Sequence, residues 1–477
     1  MRMTCEAWKI DFDGGGMKKK KYVRLFFIAG GCCGALLLSS GAAAVEINEM
    51  TVVAAADTPV VGDMPMGQSA GGDDSLLPED TEAESDLFGT EGGYFHPYLS
   101  LAGEWTDNLY NLDDNTQSNF LTRVSPGIWL AVPRSKVIPV TITPHNTSAG
   151  GLQQQLKDHS GTDRYQVYAL GGVDFLNYSE DSDLNSVDGN VEGLARYNMS
   201  SGLSLQILDR YSKGHDKFEA GVSNLVDPLQ EFNSNIVMGT ADWQMTEKLR
   251  AKVDLSNFML DYDDEINDYL DRDDDVLDLY GYYDYSEKTS FFIQYSLMDV
   301  SYDTSLRDNQ QEYVYGGIEW DTTEKLSLLF KAGYQQKEYD RSITGESDYD
   351  GFAFDLQSTY RFRERAELVL NLYRKNEETD SAVALDKEVL GGNLGYVQQY
   401  TDKITGKFDI RYEDAKYRQL IVQDRDETLF FARPALQYLF REWLMAEVAY
   451  SYETRGSSDD FFDYDTNTFF ISINFAL

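Results

Sequence analysis

The sequence predicts an all-β fold, a transmembrane antiparallel up-and-down β-barrel of about 18 strands (16–20), on three observations. Apolar and polar side chains alternate with a period of two from residue 94 onward. Short charged turns recur at a nearly fixed interval, their acidic members at 247, 287, 324, 364, 402 and 442, spaced 40, 37, 40, 38 and 40 residues apart. The chain is also aromatic (13%) while its mean hydropathy is only −0.44. An apolar-core enzyme would carry its hydrophobic residues in blocks, and an acidic disordered chain would lack the aromatics. A wet-lumened barrel with a lipid-facing aromatic exterior satisfies all three.

The N-terminus comes first because it is expected to be removed. Lys18-Lys19-Lys20-Lys21 with Arg24 form a basic stretch, residues 25–38 an apolar run of 14, and Ala42-Ala43-Ala44 a small-residue cleavage site. Residues 1–44 therefore read as a secretory signal peptide, with 1–16 as a mis-assigned start or an extended basic region. The apolar run, interrupted by Gly30, Gly31 and Gly34, is too short to span a bilayer. Cleavage takes Cys5, Cys32 and Cys33 with it, leaving neither disulfides nor thiolate metal sites. It removes seven basic and three acidic residues and moves the net charge from −40 to −44. That acidity excludes nucleic acid as a partner.

Residues 45–93 are Pro-, Gly- and acid-rich with no Lys or Arg, and read as a flexible acidic periplasmic extension. Residues 94–477 are the barrel. Strand starts fall near Tyr94, Phe120, Tyr165, Asn190, Leu203, Phe232, Leu249, Asp275, Ser290, Glu312, Leu326, Gly351, Ala366, Glu388, Ile404, Thr428, Leu444 and Asn467. Each 37–40-residue repeat holds two strands, a short turn and a long acidic loop, the loops lying at 263–272, 303–309, 340–348, 377–386, 419–426 and 456–463. Residues 133–164, with Pro133, Pro139 and Pro144, break the pattern and read as an irregular periplasmic excursion. An even strand count places both termini on the short-turn side, in the periplasm. The last strand carries apolar residues at every odd position from Phe469 to Leu477. That pattern suits recognition by the outer-membrane assembly machinery, although Leu477 stands where Phe is usual.

On the polar face of the later strands lie Lys331, Gln335, Lys337, Glu367, Asn371, Tyr373, Lys375, Lys407, Asp409, Arg411, Glu413, Glu447, Ser451 and Glu453. If the apolar faces meet lipid, these fourteen line the lumen. They either satisfy one another across strands or line a water-filled path. No catalytic, cofactor or metal residue is assigned. A barrel hydrolase would need a His, and His96, His145, His159 and His215 are the only ones. A set built on His215 and Asp216 is conceivable, but Ser and Asp abound throughout. The acidic runs 261–265 and 271–275 lack spaced calcium-ligand order with a turn Gly. They read instead as solvated loops bridged by divalent cations to lipopolysaccharide.

Several short motifs carry a family resemblance. They are Trp105-Thr106-Asp107-Asn108, Ser125-Pro126-Gly127, Pro133-Arg134-Ser135, Asn146-Thr147-Ser148-Ala149-Gly150-Gly151-Leu152, Arg164-Tyr165-Gln166 and Asp209-Arg210-Tyr211-Ser212. On these the chain resembles a type 2 family of Gram-negative outer-membrane β-barrel porins, associated with exopolysaccharide synthesis and export. The resemblance implies a non-enzymatic channel or export component in the outer membrane, with polysaccharide export proteins as partners. Alternatives from other classes are a general diffusion porin, made cation-preferring by its acidic loops, and a closed structural or surface-binding barrel.

Overall fold

The computed structural model describes residues 94–132, 164–215 and 230–476, apart from 324, 341–347, 380, 382, 420–422 and 442. The signal peptide, the 45–93 extension and nearly all of the 133–164 excursion lie outside the described residues. Eighteen strands form one antiparallel sheet that closes where the first strand pairs with the last, Tyr98 opposite Ala476. In chain order they are β1 (Phe95–Thr106), β2 (Asn119–Val132), β3 (Tyr165–Tyr178), β4 (Ser186–Asn198), β5 (Leu203–His215) and β6 (Glu231–Thr246). Then come β7 (Leu249–Tyr262), β8 (Arg272–Ser286), β9 (Thr289–Tyr302), β10 (Asn309–Thr323), β11 (Leu326–Tyr339) and β12 (Tyr349–Arg363). The last six are β13 (Ala366–Glu377), β14 (Ala384–Thr401), β15 (Ile404–Gln419), β16 (Arg425–Arg441), β17 (Leu444–Ser457) and β18 (Tyr464–Ala476). Every strand pairs with its sequence neighbours, so no edge is left open.

The recurring charged turns have one construction. The register slips by one residue just before each of them, between Gln244 and Thr246, Asp284 and Ser286, Asp321 and Thr323, Arg361 and Arg363, Gln399 and Thr401, and Leu439 and Arg441. Such bulges tighten the twist where the chain reverses. Thr246 and Thr401 use their hydroxyls to accept the backbone N–H groups of Lys248 (3.2 Å) and Lys403 (3.2 Å). The freed N–H at each bulge reaches the neighbouring turn, as from Asp284 to Lys248 O (2.9 Å) and Leu439 to Lys403 O (2.8 Å). The repeat seen in the sequence is thus a chain of tied turns around one rim.

The outer surface places the membrane. From Leu277 to Tyr285 on β8 and Phe291 to Leu297 on β9, the outward side chains are apolar or small. At about 3.3 Å per residue and about 40° tilt, such a run stands roughly 20 Å tall, near the ~25 Å of an outer-membrane band. Exposed aromatics flank it. Trp243, Tyr285, Trp320, Tyr400, Phe440 and Trp443 lie near the short turns; Trp105, Phe120, Phe175, Phe352, Tyr412 and Phe430 lie toward the long loops. Above the second girdle the outward face turns polar at Asp209, Asn235, Asn257, Asp275, Asp299 and Gln336. These groups tie to one another, as in Asn235 Nδ2 to Asp209 Oδ1 (2.8 Å) and Asn257 Nδ2 to Asp275 Oδ1 (2.9 Å).

The strands continue past this boundary, and there the polarity of the faces reverses. On β7 the inward residues are Phe258, Leu260 and Tyr262, while Asn257 and Asp261 point out. This corrects two expectations. The apolar face meets lipid only within the band. And strands begin earlier on the long-loop side than the alternation suggested, at Ser186, Arg272, Asn309, Ala384, Arg425 and Tyr464. The reason is that ladder hydrogen bonds persist beyond the lipid, where the outward side chains no longer need to be apolar.

Candidate lumen and mouth

All fourteen polar residues singled out from the sequence lie on the face of β11, β13, β15 and β17 opposite the exposed apolar side chains; Lys331, Lys407 and Asp409 are half-buried and the other eleven buried. Their partners come from the same strand, from the adjacent one or from the one beyond it. Lys331 Nζ donates to Gln294 Oε1 (3.3 Å) and lies over the Tyr315 ring. Glu367 pairs with Arg361 Nε (2.9 Å), and the Tyr373 hydroxyl donates to Glu413 Oε1 (2.5 Å). Lys375 pairs with Glu377, which also receives Lys387 Nζ (3.2 Å). Gln335 exchanges hydrogen bonds with the backbone of Asn376, donating at 2.7 Å and accepting at 2.8 Å. Glu447 accepts from Arg433 (2.7 Å) and Gln437 (2.8 Å), and Glu453 from the Tyr464 hydroxyl (2.6 Å). Arg411 lies over Phe431, Lys407 and Asp409 are half-buried one position apart on the same face, and Asn371 and Ser451 are buried on β13 and β17. Cross-strand pairing is therefore extensive among the described residues, and the wall is mainly polar with apolar groups such as Phe292 and Val369 interspersed.

Glycines on the inner face let aromatic rings lie flat against the wall. A Cβ at Gly391 would sit 2.5 Å from the Tyr373 hydroxyl oxygen and 2.9 Å from Glu413 Cγ. That close approach is what holds the Tyr373–Glu413 pair against the sheet.

Along its height the inner wall is not uniform. Toward the short turns, Arg250, Lys252 and Arg433 keep 17–19% of their side chains exposed and pair with Asp242, Asp254 and Glu447. Toward the long loops, Arg272, Asp274, Lys337, Glu378 and Asp386 have side chains exposed by 0%. Charged groups that dry are enclosed by protein, and the enclosure comes from connections folded into the mouth. The 263–271 connection drives Leu270 into a cluster of Phe232, Ile236, Phe258, Leu260 and Tyr262. Arg307, between β9 and β10, donates to Tyr269 O (2.9 Å) and Thr379 O (2.8 Å), tying three connections together. The connection expected at 377–386 is present between β13 and β14, but its Glu378 is seated inside. Arg272, Tyr302, Asn309 and Gln311, which lie near that seat, are not among the residues the sequence singles out. A sequence of acids after a strand shows no sign of which way the chain turns.

At the rim, burial raises the Asp271 carboxyl to about 6. The Tyr262 N–H donated to it (2.8 Å) works against this, and Asp261, Asp268 and Asp303 reinforce it. His215 pairs across β4 and β5, its Nδ1 lying 3.0 Å from Asp188 Oδ2, and Asp216 lies outside the described residues. His96 stacks on Trp129, its cross-strand partner, with ring centroids 4.0 Å apart. Among the described residues no three His, Cys, Asp or Glu side chains converge as metal ligands do.

No curated protein matches the chain. Among solved structures it is similar to OpdQ of Pseudomonas aeruginosa (TM-score 0.44, 12% identity, covering 80% of this chain and 98% of that one). OccAB4 of Acinetobacter baumannii is comparable (TM-score 0.43, 9% identity, 81% and 99%), as is Pseudomonas aeruginosa OpdK, solved with vanillate (TM-score 0.41, 9% identity, 80% and 99%). Residues 143–477 match the family described as "Putative beta-barrel porin 2". With its closed 18-stranded wall, lipid band and polar lumen, the chain belongs to that outer-membrane porin family.

Proposed function

We propose that the protein is a passive channel for small hydrophilic solutes, and that polysaccharide export is the weaker reading. One observation carries this: the inner wall is polar and partly wet toward the short turns, then closes to a dry, loop-filled mouth. Small solutes need only a narrow polar path, whereas a polymer needs a wide one along its whole length. The outward acids Asp261, Asp273, Asp275 and Asp299 around the mouth favour cations over anions at its entrance. The short turns and both termini belong in the periplasm, where residues 45–93 can reach partners. Lipopolysaccharide bridged by divalent cations would meet the acidic rim, and the assembly machinery would engage β18. No step of this function requires a catalytic residue.

Planar-bilayer recording of the refolded barrel tests the reading. Discrete openings are expected, with a reversal potential in a KCl gradient that favours K⁺. A folded barrel that never opens leaves only a closed scaffold. A deletion strain that loses secreted polymer, with small-solute permeability intact, restores the export reading. For topology, an epitope inserted at Glu287-Lys288 should stay hidden in intact cells until the outer membrane is permeabilised. Labelling of that epitope on intact cells overturns the orientation.

A further inference from the structure

On β13 the inward position is Glu377, opposite Lys387 of β14. Continued alternation would aim Glu378 outward. Instead the chain leaves the wall and turns Glu378 inward, where its side chain meets β9, β10 and β11. Its Oε1 accepts from Asn309 Nδ2 (3.1 Å), Gln311 Nε2 (2.9 Å) and the Lys337 ammonium, and its Oε2 from the Tyr302 hydroxyl (2.8 Å). β9 and β13 are four strands apart, about 19 Å around the wall. Glu378 therefore stands inside the ring of strand ends and not in the wall beyond β13.

The contacts that hold Glu378 and the Thr379 carbonyl here are polar. A carboxylate and carbonyls released from such a seat regain water, so each hydrogen bond contributes only a modest net amount to closure. The Lys337–Glu378 pair is different. Release takes the nearer carboxylate from the buried Lys337 ammonium and leaves it only Asp386, 3.9 Å away, so this pair sets the balance between seated and released. An apolar anchor like Leu270 has no such exchange partner in water.

We propose that the connection leaving β13, held at Glu378 and Thr379, acts as a gate. It is closed in this structure, with Glu378 in the socket of Tyr302, Asn309, Gln311 and Lys337, and opens when that carboxylate leaves. The proposal rests on the channel reading above and adds the device that regulates it.

All three cysteines lie at or before residue 33, so the barrel has none and one introduced thiol reports cleanly. Thr379→Cys, buried beside the latch, should react slowly with a soluble maleimide in the barrel reconstituted in lipid vesicles. Adding Glu378→Gln should speed that reaction at least about tenfold, with a matching rise in open probability in planar bilayers. Equal labelling rates with and without Glu378→Gln, in barrels that retain the heat-modifiable mobility of the folded form, overturn the gate. So does fast labelling of Thr379→Cys alone. If Glu378→Gln prevents folding, Asn309→Ala with Gln311→Ala removes two donors and carries the same comparison. Labelling follows the segment whether or not ions pass. Gated labelling without conductance therefore sinks the channel reading, and conductance with unchanged labelling sinks the gate.

Discussion

Two connections fold into the same mouth by opposite means. The 263–271 connection is anchored by Leu270 in a cluster of inward Phe, Ile, Leu and Tyr side chains on β6 and β7. The connection after β13 is anchored at Glu378, one carboxylate among polar donors. Both anchors are buried, yet their energetics differ. Apolar burial is non-directional, and leaving it exposes hydrocarbon to water. A seated carboxylate trades one set of hydrogen bonds for another. The comparison teaches that equal burial does not mean equal permanence: the first connection completes the wall, and the second can leave it.

The largest expected effect breaks the polar anchor from its other side. Lys337→Met leaves Glu378 buried and unpaired, which costs about 3–5 kcal/mol, more than the seat can bear. The connection after β13 should be expelled and cut readily by added protease, while the barrel itself stays folded. Unchanged proteolysis would mean that the ion pair contributes nothing to seating. The apolar anchor is sharpened by Leu270→Ala, which should cost about 2–5 kcal/mol locally. Faster hydrogen exchange confined to residues 263–271 is the expected readout, and an effect spread to the connection after β13 would show that Arg307 couples the two connections.

The smallest effect is a pH dependence of the first connection alone. The folded Asp271 pKa, about 6, lies above its ordinary value of 3.8. A raised carboxyl binds its proton more tightly in the folded state, so its charge opposes docking fully above pH 6. That opposition fades as pH falls through 6 toward 4. Protection of 263–271 should therefore be greater at pH 5 than at pH 7, and Asp271→Asn should remove the difference. A pH effect that survives in the Asn variant assigns it to another group.

How far the fold was legible varies along each strand. Strand starts at the short-turn rim, Leu203, Leu249, Leu326, Ala366, Ile404 and Leu444, coincide with the structure. Starts at the loop rim came three or four residues late on β4, β8, β10, β14, β16 and β18. Within the lipid band, alternation is forced by the contrast between hydrocarbon and lumen, and the sequence shows it. Above the band both faces meet water or loops, so Phe258 and Leu260 turn inward while Asp275 turns outward, and the pattern no longer reports the strand.

The same division holds for the wall and the mouth. Period, turn spacing and aromatic content by themselves determined an 18-stranded antiparallel barrel and put Lys331, Glu367, Arg411 and Glu447 on its inner face, because a period of two assigns faces without knowing any partner. Which of those groups stay wet, which pair, and which lie dry was decided only when the strands closed into a ring. Glu378 meets Tyr302, 76 residues away in sequence and four strands away in the sheet. No local pattern encodes that meeting: it exists because the curved sheet brings the inner sides of β9 and the end of β13 within side-chain reach, where a carboxylate without donors could not remain buried.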